Sequence, residues 1–189
     1  MTDAMVPEAR TFSLLDPAGH RAEPLFRMPP LTLFVFQLAC VPLGIARAAL
    51  DEFAELAQRT VPSMYQAPLA DRPAAQVAIA RAEAALGGAR AFLYETADRM
   101  WRDVQSGRMP TPRDLAVARA ACTQAAEAAA EATRTASTLA AGSSIYTASS
   151  LQRHARDADA ITHHFTVAPT TWDEAGRVLL GRDPVVPVL

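Results

Sequence analysis

The run DLAVARAACTQAAEAAAEATRTASTLAA, Asp114 to Ala141, is almost unbroken alanine relieved by threonine and glutamate. Alanine gives up no side-chain entropy in a helix and heads the scale of helix formers, so the run predicts one long helix after the turn SGRMPTP. Its contact faces are small. Small side chains let neighbouring helices approach closely but bury little area each, so a bundle built on this helix is expected to gain further burial against another chain or domain.

Working outward from this helix, AGSSIY makes the next turn, a fourth helix is expected from about Thr147 to Phe165, and TTWDEAGRVLLG predicts a short fifth helix closed by Gly181. On the upstream side, a proline-bearing loop, TVPSMYQAPLADRP, leads into a second long helix from about Pro73 to Ser106. Val77, Ala84, Ala91, Tyr94 and Trp101 fall near one face of it. Gly87 and Gly88 sit in its middle, where each glycine costs about 1 kcal/mol relative to alanine, a sign of close helix packing. A first helix from Leu31 to about Gln58 carries Ile45, Ala49, Phe53 and Leu56 at spacings of three and four and ends near Arg59. Residues 1–30 hold five prolines and little periodicity, and read as an extended arm with at most one short strand around Phe12 to Leu15. The expected fold is all-α, an antiparallel four-helix bundle over 31–189 with a short fifth helix and an extended N-terminal arm over 1–30.

A chain of 189 residues suits one domain, and a net charge of -2 gives no reason to expect a nucleic-acid partner. All 18 basic residues are arginine, which excludes Schiff-base chemistry and a P-loop lysine. Asparagine is also absent, a bias that points to a GC-rich bacterial genome. Cys40 and Cys122 lie far apart without a CxxC partner and read as two buried thiols in a reducing cytosol. No basic segment followed by an apolar run opens the chain, so no signal peptide is expected. The most apolar run, Leu31 to Ala46, is shorter than the roughly 18 to 20 residues of a membrane span and is interrupted by Gln37 and Pro42, so it reads as a buried core helix and no membrane partner is expected.

The stretch LQRHARDADAITHH, Leu151 to His164, holds three of the four histidines. At about 100° per residue, Arg153, Asp157, Ile161 and His164 share one face, while Gln152, Arg156, Asp159 and His163 share another. Adjacent histidines therefore point different ways, with His163 in solvent. A metal site is disfavoured, because ligation from a helix calls for histidines at i, i+4 and a third clustered ligand. A serine triad lacks its GxSxG-like elbow. Acid-base or hydrogen-bonding work by one imidazole suits a residue that titrates near neutral pH. The structural alternative is a helix-end histidine that meets the C-terminal dipole and pairs with Asp159 or Asp157.

The run AGSSIYTASSLQRHARDADAITHH, followed by a tryptophan-bearing short helix and GRDP, resembles the C-terminal end of the acyl-CoA dehydrogenase superfamily. VPEARTFSLLDP, PLFRMPP, LGIARAALDEF and ARAFLYETADRMW extend the likeness over nearly the whole chain. Within the superfamily it is similar to the flavin-dependent monooxygenases of the two-component type, including aromatic hydroxylases and dibenzothiophene monooxygenase. LQRxxRD with a histidine eight residues after its second arginine is among the more specific motifs. Family proteins have an N-terminal helical domain, a middle β-domain and a C-terminal four-helix bundle, and this chain resembles the bundle preceded by the last piece of the β-domain.

What the resemblance implies is a flavin, FMN or FAD, in a pocket completed by other segments, with a separate flavin reductase as partner and a homo-oligomer formed through the bundle. His164 matches the histidine beside the flavin ring and substrate, where it assists proton transfer or stabilises the flavin hydroperoxide. Ser143 and Ser144 match a loop that approaches the flavin, although the glycine pair common in the dehydrogenases is absent. Arg59 matches an arginine that meets a flavin phosphate, often across a subunit interface. Arg153, Arg156 and Asp157 match residues that tie the last long helix to its neighbours, with Arg153 and Asp157 spaced for an i, i+4 pair. ITHHFTVAP has no carboxylate, which disfavours removal of a proton α to a thioester. The function implied is the bundle part of a reduced-flavin monooxygenase acting on an aromatic or heteroaromatic substrate, in the cytoplasm and incomplete as a catalyst alone. The alternatives are an acyl-CoA dehydrogenase and a non-catalytic helical oligomerisation domain.

Overall fold

Three of the five helices start on a proline, whose missing N–H is one of the donors a helix leaves unbonded in its first turn. They are α1 (Pro30–Arg59), α2 (Pro73–Gln105) and α3 (Pro112–Ala140), followed by α4 (Leu151–Thr162) and α5 (Thr170–Leu179). The computed structural model describes residues 3–11, 23–63, 65–144 and 149–185. Among these no strand occurs. The strand expected around Phe12 to Leu15, and the expected start of the fourth helix at Thr147, lie outside the described residues.

The long helices end by recognisable chemistry. Gly107, at φ +89°, takes the left-handed position after α2, and the amides of Gly107 and Arg108 return to the carbonyls of Val104 and Asp103. Gly181, at φ +79°, closes α5 in the same way through the carbonyls of Val178 and Arg177. At the start of α3 the Thr111 hydroxyl accepts the Asp114 amide at 3.2 Å and the Asp114 carboxylate accepts the Thr111 amide at 2.9 Å. Burial works against the charge of Asp114, yet the Thr111 hydroxyl and amide and the Arg108 guanidinium outweigh it and hold the carboxyl down at about 2.

α3 is the axis of the fold. It packs along α1 and α2 and carries α4 and α5 on its remaining sides, while α1 and α2 scarcely touch each other. Ala116, Ala121, Ala125, Ala126, Ala129 and Ala136 are fully buried. The alanines are thus consumed inside the chain, where their small size lets four helices approach one. The face that lacks a partner is on α2 instead. Its buried stripe runs through Leu86, Ala89, Leu93, Thr96, Met100 and Val104, whereas Val77, Ala84, Ala91, Tyr94 and Trp101 face outward. Gly87 and Gly88 are exposed, and a Cβ at either meets nothing within 4 Å, so no helix among the described residues packs closely there.

By length and composition α1 as a whole is apolar enough to cross a membrane. In the fold it is a core helix, with Val35, Ala39, Ala46, Ala49 and Leu50 all sealed against their neighbours. Pro42 lies fully buried within it, and the helix continues past the hydrogen bond that proline removes. Cys122 is buried, and burial pushes its thiol up to about 12. Cys40 is exposed, contrary to expectation, because it falls on the side of α1 turned away from α3.

Candidate functional site

α4 ends sooner than its sequence pattern implies. Ile161 and Thr162 are β-branched, and the Thr162 hydroxyl donates back to the Asp159 carbonyl at 2.6 Å. The next amides, of His163 and His164, reach only three residues back, to Ala160 and Ile161, tightening the last turn. His164 therefore sits on the turn after the helix, and the helical wheel that placed it beside Arg153 does not extend to it. Thr166 and Val167, both fully buried, pin this turn to the core, and the Thr171 hydroxyl at the start of α5 bonds the buried Thr123 hydroxyl of α3.

So held, the half-buried His164 ring lies 5.9 Å from the Phe34 ring of α1 and 4.8 Å from the Phe165 ring, centroid to centroid. Phe34 is 44% exposed and Phe165 64% exposed. The Nδ1 atom of His164 is 2.8 Å from the Thr166 hydroxyl, and the Thr166 amide donates to it at 3.4 Å. The result is an open apolar shelf with one imidazole set into it. A planar aromatic group fits such a shelf by ring contact, with the imidazole offering a single polar contact.

The other histidines of the stretch do different work. His163 is exposed, with Nε2 3.6 Å from Asp159. His154 reaches Glu52 of α1 at 3.6 Å, and Ser150 bonds the same carboxylate. Arg134 of α3 meets Asp159 at 3.3 Å. These contacts, with the burial of Leu151 and Ala158, tie α4 down. Arg153, Arg156 and Asp157 are exposed and form no ion pair among the described residues, so the anchoring assigned to them falls to His154, Ser150 and Asp159. No three His, Cys, Asp or Glu side chains converge among the described residues.

Arg59, Ser143 and Ser144 stand at the other end of the bundle. Ser150 and His154 open α4 beside Glu52, near the end of α1, while His164 follows α4 and meets Phe34, near the start of α1. The two helices are antiparallel, and the end of α3 with the turn 141–144 lies toward the Arg59 end. Between Phe34 and Arg59 α1 spans about 37 Å. Arg59 is exposed with no side-chain partner among the described residues. Ser144 is buried and its hydroxyl donates to the Ala141 carbonyl at 2.8 Å, while Ser143 is half-buried. The fold thus brings Arg59 and the serines to one end and leaves His164 at the other. Sequence reasoning missed Phe34, Phe165 and Thr166; only the last two, as neighbours of His164 in the chain, left any local signal.

Residues 36–169 match the family described as acyl-CoA dehydrogenase, C-terminal domain. Indole-3-acetate monooxygenase of Pseudomonas putida is 43% identical over 164 residues, 86% of this chain and 42% of that protein. Indole-3-acetate monooxygenase of Acinetobacter baumannii is 34% identical over 182 residues, 96% of this chain and 46% of that one. The chain therefore spans less than half the length of either enzyme. XiaF from Streptomyces sp., solved in complex with FADH2 and glycerol, superposes with a TM-score of 0.85 at 23% identity, over 99% of this chain and 49% of that one, a likeness of fold. By the extent of the family match and by the helical order that carries it, the chain belongs to the acyl-CoA dehydrogenase C-terminal domain family.

Proposed function

We propose that the chain is the C-terminal bundle of a reduced-flavin-dependent monooxygenase that acts on an aromatic or heteroaromatic substrate. The observation that carries this reading is the His164 ring, set beside the exposed Phe34 and Phe165 rings on the turn after α4. The names of the two indole-3-acetate monooxygenases support it. A flavin, FMN or FAD, reduced by a separate reductase, supplies the oxygen chemistry when bound. Phe34 and Phe165 offer ring contact to one side of the bound ring system, and His164 hydrogen-bonds or moves a proton at its free nitrogen.

Arg59, Ser143 and Ser144 serve a second cofactor on a neighbouring subunit, because the length of α1 puts them beyond the reach of a nucleotide lying against His164. A guanidinium without a partner suits a phosphate by charge and fork geometry. The outward face of α2 supplies the contact between subunits. A groove of about 310 Å³ between α1 and α2, lined by Leu43, Leu86 and Tyr94 together with Arg47, Glu83 and Arg90, borders that face. The assembly works in the cytoplasm.

The test is His164→Ala in the domain reunited with its upstream parts. Hydroxylation falls at least a hundredfold while reduced flavin is still consumed, as expected for loss of an acid-base group. Unchanged hydroxylation would sink the assignment.

A further inference from the structure

His164 offers two nitrogens to chemistry, and only one of them faces the open shelf. The Nδ1 atom is held at 2.8 Å by the Thr166 hydroxyl, and the Thr166 amide points at the same atom. An amide N–H donates only, so the Nδ1 lone pair accepts, and in the neutral ring the proton resides on Nε2. Thr166 is fully buried, and among the described residues its hydroxyl has no other acceptor than Nδ1. A flipped imidazole would lose the contacts to both the amide and the hydroxyl of Thr166, and among the described residues no second partner stabilises the other tautomer.

We propose that Thr166 is a positioning residue that fixes His164 as the Nε2–H tautomer, so that the neutral imidazole presents a hydrogen-bond donor to an acceptor atom of the bound cofactor or substrate. The inference rests on the reading of His164 as the group that meets the ligand, and it adds a direction: His164 enters as a donor at Nε2 rather than as a base there. The geometry also explains why the turn is so firmly built. A ring whose tautomer is set by one buried hydroxyl depends on Thr166 staying in place, and Val167, Thr171 and Thr123 hold it there.

The tautomer is read directly in the chain as it stands, by the imidazole nitrogen-15 shifts under alkaline conditions where the rings are neutral. A histidine in an unstructured peptide serves as the unconstrained reference, because the Nε2 atom of His163 lies beside the Asp159 carboxylate. His164 shows an Nε2–H to Nδ1–H ratio about fivefold above that of the peptide, the size of one net hydrogen bond. Thr166→Val brings the ratio down toward that of the peptide, and Thr166→Ser restores it, with circular dichroism confirming that each variant is folded. A ratio at His164 equal to that of the peptide, or one that Thr166→Val leaves unchanged, overturns the proposal. In the domain reunited with its upstream parts, Thr166→Val lowers kcat for hydroxylation about tenfold with little change in KM, and Thr166→Ser recovers it. If instead His164→Ala proves harmless while the tautomer behaves as described, the catalytic reading fails and the role of Thr166 in orienting the ring stands.

Discussion

α3 and α2 are nearly equal in length and both rich in alanine, yet they spend their small residues in opposite ways. In α3 fourteen residues are buried, eleven of them alanine, and α1, α2, α4 and α5 all pack against the helix. In α2 one stripe is buried, and Ala84, Gly87, Gly88 and Ala91 lie on the surface beside Val77, Tyr94 and Trp101. The same composition marks a crowded axis in one helix and an unpartnered face in the other. What separates them is topology: α3 lies between the other helices, and α2 lies at the edge.

The largest effect follows from crowding. Ala129→Leu places three extra carbons at a fully buried site on α3 and is expected to cost about 3 kcal/mol, because no neighbour has space to yield. Ala84→Leu, on the outward face of α2, is expected to change stability by less than about 0.5 kcal/mol. Urea titration of both variants checks the contrast, and equal losses would mean that the two helices are packed alike.

Association reads the same difference from outside. Tyr94→Asp together with Trp101→Arg adds charge to the α2 face without touching its buried stripe. The proposed self-association is expected to weaken about 30-fold, a change of about 2 kcal/mol, by sedimentation over a concentration series, while the helix content stays constant. An unchanged association constant would move the subunit contact elsewhere.

How much of this was legible in the sequence follows from what each feature depends on. The helices, Pro73 at the start of α2 and Gly181 after α5 depend on local chemistry, and the sequence announces them, while Pro30 and Pro112, read as arm and turn, in fact open α1 and α3. The pattern also grouped Val77, Ala84, Ala91, Tyr94 and Trp101 on one face, but periodicity alone does not say whether an apolar face looks inward or outward. The exposure of Cys40 was hidden for the same reason. At the site, His164 stood out by residue type and by resemblance, while its setting did not. Phe34 lies 130 positions away in the chain, and Thr123 bonds Thr171 across a separation of 48 residues, so neither leaves a local signature. The anchoring of α4 was misassigned because Arg153 and Asp157 satisfy the i, i+4 spacing yet face solvent, whereas Glu52, on another helix, supplies the contact.

The starts of the two helices differ as well, and the difference is expected to depend on pH. α2 begins without a side-chain cap, whereas α3 begins with the reciprocal Thr111–Asp114 pair. The Asp114 carboxyl titrates near 2 in the fold against an ordinary value of 3.8, so its contribution is fully present above about pH 4 and is lost as pH falls through about 2. Asp114→Asn is expected to cost about 2 kcal/mol at neutral pH, close to the linkage value of the shift, and to flatten the acid limb of the stability profile between about pH 4 and 2. A profile that keeps its slope would assign the acid sensitivity to other carboxylates.

The smallest effect is expected where α1 and α2 meet most visibly. Arg47 of α1 forms a two-pronged pair with Glu83 of α2 at 2.7 and 2.8 Å and also reaches Asp51 at 2.9 Å. The hydrogen bonds to Glu83 come first among the causes that raise the guanidinium above its ordinary value, with burial opposing them. Both partners of the pair are more than two-fifths exposed, so water screens most of the attraction, and ordering two long side chains offsets much of the rest. Arg47→Ala is therefore expected to cost no more than about 0.5 kcal/mol in urea titration. A larger loss would show that α1 and α2 depend on each other directly, and the picture of two outer helices joined through the alanines of α3 would have to give way.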